Sequence, residues 1–124
     1  MAKKKKNDLQ AIEEQLREYA IHYPETHEDF PWGERCVKVK GKGFLFMRAT
    51  PETISLSVKL PSSRDMAVDL PFAEPTHYGM GKHGWVTATF STADEVPLDL
   101  MKAWIDESFR AVAPKKLVKT LGEG

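Results

Sequence analysis

The sequence predicts an α+β domain, an antiparallel β-sheet covered on one side by helices. Three observations predict it. Apolar and polar residues alternate over short stretches, as in Ile54-Ser55-Leu56-Ser57-Val58, the pattern of strands with one buried face. The connections at Lys40–Gly43 and Thr50–Glu52 are too short for a parallel crossover. Helical spacing is clearest towards the two ends, at Leu9, Ile12, Leu16 and at Met101, Trp104, Ile105.

Taken in order, Lys3 to Lys6 is a basic run that reads as a disordered tail, residues 1–6, ahead of a single domain over 7–124. Asn7 to Tyr23 reads as a helix, with Asn7 and Gln10 spaced as a capping box and Pro24 ending it. Pro24 to Gly33 reads as a loop in which Phe30 and Trp32 plug the core or stack on a ligand. Arg35–Lys40, Gly43–Ala49 and Thr53–Leu60 read as strands of a meander. The second is apolar on both sides, which predicts a central place. Ser62–Leu70 reads as a short helix with Ser62 and Asp65 as its capping pair. Pro71 to Gly84 is a long connection, and Trp85–Phe90 is the fourth strand. Pro97–Val112 is the main helix, followed after Pro114 by a short basic turn or helix.

The 124 residues fit one domain, and the zero formal net charge excludes a polyelectrolyte binder. Any affinity for phosphate must come from local asymmetry. Cys36 is the only cysteine, so no intramolecular disulfide forms, which suits the cytoplasm. The basic start has no apolar stretch behind it and does not read as a secretory signal. No apolar run reaches membrane-spanning length.

Candidate chemistry is sparse. His22, His27, His77, His83 and Cys36 form no ligand spacing typical of zinc, so no metal is expected. Cys36 lacks a neighbouring histidine, and the Ser108 hydroxyl on an apolar helix face has a preceding carbonyl to bond. No catalytic residue stands out, no phosphate loop is present, and neither a cofactor nor an enzymatic activity is expected.

The sheet face offers more. If Ile54, Leu56, Val58, Val86, Ala88 and Phe90 point at the helices, the other face carries Ser55, Ser57, Lys59, Trp85, Thr87 and Thr89. Arg35 to Thr50 holds no acidic residue, while Arg35, Lys38, Lys40, Lys42 and Arg48 contribute positive charge, and Thr53 to Arg64 holds no acid either. The candidate nucleic-acid-binding residues are Lys38, Lys40, Lys42, Lys59, Lys82, His83 and Trp85. An ordinary solvated sheet face has a similar composition. Trp85 either packs over the sheet or stacks on a base.

Lys82-x-x-Trp85, the Gly41-Lys42 turn before Phe44, Lys59-Leu60-Pro61, and Asp106-Glu107-Ser108-Phe109 resemble the MmcQ/YjbR-like family in order and spacing. The resemblance runs from about the first helix to Val112. It implies a CyaY-like, double-wing-like α+β fold and DNA binding, which the zero net charge would make weak and non-specific, and it carries no catalytic residue. The fold type also includes frataxin-like iron binders with an acidic helix. Here Glu13, Glu14 and Glu18 are few and Arg17 sits among them, so tight iron binding is not expected. The expected function is thus a non-enzymatic DNA-binding protein. The alternative is a protein-interaction or small-ligand module closed by the 77–85 loop.

Overall fold

A computed structural model of the chain describes residues 2–29, 34–76 and 83–121, with side chains from Asp8 onward. The elements are α1 (Ala2–Ile21), β1 (Thr26–Asp29), β2 (Arg35–Val39), β3 (Lys42–Ala49), β4 (Ile54–Lys59), α2 (Arg64–Val68), β5 (Ala73–Pro75), β6 (Trp85–Phe90), α3 (Leu98–Val112) and α4 (Lys115–Lys119). The strands form one antiparallel sheet in the order β1-β2-β3-β4-β6-β5.

The predicted facing holds. Ile54, Leu56, Val58, Val86, Ala88 and Phe90 are buried together with Leu9, Ile12, Leu16 and Ala20 of α1 and Met101, Ile105 and Phe109 of α3. Two strands lie where loops were expected. Strand β1 is Thr-His-Glu-Asp and shows no apolar alternation, and β5 is three residues ending in proline. Both are edge strands, which need no apolar second face. Helix α1 begins at Ala2 rather than Asn7 and takes in the Lys3–Lys6 stretch. Helix α2 is shorter than expected, and no side chain of Ser62 or Asp65 caps it. Glu107 of α3 instead ties down the approach to α2, accepting the backbone N–H groups of Ser62 at 2.8 Å and Ser63 at 3.0 Å.

The hairpin between β2 and β3 turns on Lys40 and Gly41, at φ +52° and +81°. Two positive φ values match a turn whose twist suits paired strands. The register then shifts: Val37 faces Leu45, but Lys38 faces Gly43, which leaves Phe44 as an extra residue. This bulge explains the apolar run of β3. It sends both Phe44 and Leu45 into the helix-side core and leaves Phe46 on the other face.

The bulge removes a rung of the ladder, and Ser108 replaces it. Its hydroxyl donates to the Phe44 carbonyl at 2.6 Å and accepts the Lys59 backbone N–H at 2.8 Å. It therefore bonds across to the sheet, not back into its own helix. Asp106 accepts from the Tyr23 hydroxyl at 2.5 Å and from Arg110 Nε at 2.8 Å. Phe109 stacks on Tyr23 with ring centroids 4.4 Å apart and meets Phe44 edge-on at 5.2 Å.

Replacing Ser108 with alanine leaves a buried donor and a buried acceptor unpaired. A loss on the order of 2–3 kcal/mol is expected; a urea-unfolding difference below about 0.5 kcal/mol would overturn this account of the bulge. Burial, followed by the hydrogen bond to Asp106, pushes the Tyr23 hydroxyl well above its ordinary range. Its contribution is full below pH about 10 and falls as pH rises further, because the unfolded tyrosine ionises first. Thermal melts across pH 9–11.5 should show this decline, and Tyr23→Phe should make it shallower.

Candidate nucleic-acid interface

The face away from the helices is built by alternation. Across the central strands β3, β4 and β6, Arg48 pairs with Ser55 and Ser55 with Thr89; Phe46 pairs with Ser57 and Ser57 with Thr87; Lys59 pairs with Trp85. Hydroxyls line the middle: Ser57 Oγ lies 2.7 Å from Thr87 Oγ1, which lies 2.9 Å from Thr76 Oγ1. No acidic residue occurs anywhere on β3, β4 or β6. The strand acids of this face sit on the edge strands, Asp29 on β1 and Glu74 on β5.

The face also holds a small apolar cluster separate from the main core. Cys36 is fully buried yet belongs to β2's open side, opposite Phe46. A Cβ on Gly43 would lie 2.7 Å from the Phe46 ring and 2.9 Å from Cys36 Sγ. The bare glycine therefore lets the Phe46 ring reach back along the sheet. From there the ring bridges over β4 to Trp85, with centroids 5.6 Å apart and planes at 64°. Both aromatic residues are half-buried.

The expected cations do not form one set. Lys38 donates to Asp29 at 3.1 Å, and Lys40, in the turn and not on the strand, sits 3.5 Å from Glu25. Both acids lie on or just before β1, a strand that was not expected, so this neutralisation was hidden from the sequence. Among the described residues, Lys42, Arg48 and Lys59 make no ion pair. Lys42 is exposed at the hairpin end, Arg48 is exposed on the face, and Lys59 is half-buried beside Trp85. His83 is exposed just before β6, and Lys82 lies outside the described residues, as do Phe30, Trp32 and His77. Phe46 was not among the sequence candidates, and Arg48 was counted only among the positive charges of Arg35 to Thr50. The signal was present, since both alternate with the buried Met47, but the bulge masked the period of β3.

The family model YjbR matches residues 21–111. The chain belongs to the YjbR family. Solved structures share the YjbR fold seen here. One is a Deinococcus radiodurans protein with a DUF419 domain, at TM-score 0.67 and 26% identity, covering 88% of this chain and 86% of that one. Another is a protein from Pseudomonas syringae, at TM-score 0.62 and 17% identity, covering 80% of this chain and 97% of that one. No curated protein matches the chain.

The acidic side of this YjbR domain is tied up by arginines. Arg17 Nε donates to Glu28 at 2.8 Å, and Arg35 reaches Glu14 at 3.1 Å. Arg35 Nε is also 2.9 Å from Glu28 Oε2, an ion pair whose N–H points off the line to the oxygen. Burial, partly opposed by Arg35, raises the Glu13 carboxyl above its ordinary range. Among the described residues no group of three or more histidine, cysteine or acidic side chains is placed to hold a metal. An apolar hollow of about 370 Å³ lies between α2 and α3, lined by Met66, Leu70, Leu100 and Trp104. The loop of the alternative expectation, 77–85, lies mostly outside the described residues.

Burial pushes the Cys36 thiol up to about 11, with Lys38 opposing and Asp29 and Glu34 adding to the rise. At pH 8 roughly one such thiol in a thousand is ionised. Native protein should therefore react slowly with a thiol–disulfide reagent, and urea should release the full reaction. A fast stoichiometric burst in the folded state would contradict this burial.

Proposed function

We propose that this YjbR-family domain is a non-enzymatic cytoplasmic protein that binds nucleic acid weakly through its open sheet face. The observation that carries the proposal is the three-strand strip β3-β4-β6, which holds cations, hydroxyls and aromatics and no acid. Backbone phosphates are bound by just such cations and hydroxyls, without regard to sequence. Arg48 and Lys59 are the contacts, because their charges are not spent on neighbouring acids among the described residues; Lys42 pairs with the core residue Val39 and so lies on the helix side of the hairpin end. Lys38 and Lys40 contribute less, since Asp29 and Glu25 offset them. Zero net charge keeps the affinity low. The absence of acids on this strip supports the reading over an ordinary solvated face, where acids and bases mix.

Two phosphate contacts on duplex DNA imply a log–log salt slope of about −2. Fluorescence anisotropy with labelled duplex at several salt concentrations measures it. Lys59→Gln or Arg48→Gln should flatten the slope by about one unit, whereas Lys40→Gln should leave it nearly unchanged. Absence of binding to duplex and to single strand alike, even at the lowest salt, removes the proposal.

A further inference from the structure

We infer that the ligand of this face is a single strand, with a base stacked in the corner between Phe46 and Trp85. The inference rests on the nucleic-acid reading and narrows it. Size is the first argument. Six strands spaced about 4.8 Å apart make a face about 24 Å across, twice the roughly 12 Å width of a DNA major groove. In the order β1-β2-β3-β4-β6-β5, Phe46 and Trp85 are inboard, flanked by β2 on one side and β5 on the other. A duplex laid on such a face keeps its bases inside its own stack, away from the rings. A single strand has no such limit, and its bases turn freely onto aromatic side chains.

The second argument is the arrangement itself. The two rings meet at 64° with centroids 5.6 Å apart, so a base stacked on one ring has its edge against the other. Part of each residue is already packed, Phe46 against Gly43 and Cys36, which fixes the corner before any ligand arrives. Cations lie at both ends of it. Lys59 pairs with Trp85, and Arg48 pairs with Ser55, four residues along β4 from Lys59. That separation is about 13 Å, which leaves room for one or two nucleotides between the phosphates that the two cations hold. The hydroxyls of Ser57 and Thr87 lie on the rows between them and offer partners to a base edge or sugar. Because they bond one another, neither needs a ligand for the protein to fold.

The test uses the unmodified chain and labelled strands of about 12 nucleotides. Anisotropy at low salt compares oligothymidylate, a duplex, and an abasic strand with the same phosphates and no bases. The single strand is expected to bind about tenfold or more tighter than either of the others. Equal affinity for the abasic strand, or for the duplex, overturns the stacking inference and leaves the phosphate reading standing. Failure of every probe to bind removes that reading, and the inference with it. As a second arm, Phe46→Ala and Trp85→Ala should each weaken oligothymidylate about five- to a hundredfold and leave the abasic strand unchanged. Trp85→Phe keeps a ring on the sheet and should recover most of the affinity if the alanine variant folds poorly. An unchanged oligothymidylate affinity in folded Phe46→Ala and Trp85→Ala also overturns the inference.

Discussion

The hydroxyl of Ser108 holds the bulged sheet to its main helix. A bulge in the middle of a sheet strands a carbonyl and an N–H with no partner, and in a buried place each unpaired group costs about 1–3 kcal/mol. Ser108 answers both at once, donating to Phe44 and accepting from Lys59. The bulge in turn decides which residues face which way. Without it Phe44 would point away from Tyr23 and Phe109, and Gly43 would not lie beneath the Phe46 ring. The open face and the core thus share one origin in a single displaced residue.

The neighbours of Ser108 extend this role. Asp106 fastens α1 through Tyr23, Glu107 fastens the chain ahead of α2 through Ser62 and Ser63, and Phe109 closes the aromatic core. Four consecutive side chains on α3 each hold a different part of the molecule. Asp-Glu-Ser-Phe thus has a structural task at every position and names no chemistry. Its residues are committed to architecture.

How much was legible follows from the same physics. The helix-side core could be read because alternation in β4 and β6 has period two and each apolar residue had one place to go. The polar face of those strands followed by subtraction. Strands β1 and β5 could not be read, because a short polar edge leaves no periodic trace. With β1 unseen, Asp29 and Glu25 were unseen as partners of Lys38 and Lys40. Phe46 was missed for the opposite reason. The bulge puts two apolar residues in succession on one side, and Phe44-Leu45-Phe46-Met47 then reads as buried throughout.

The two edges of the sheet have a further consequence for how the molecule behaves in a crowd. A protein with no net charge has little long-range repulsion to keep its copies apart. Exposed strand edges are the usual route by which such copies join into continuous sheets. Here one edge is four polar residues with exposed His27 and Asp29, and the other is three residues closed by Pro75, which has no N–H to give. Neither end is a template for another strand. Protection against such joining is therefore a property of the sheet's margins, written in its least regular parts.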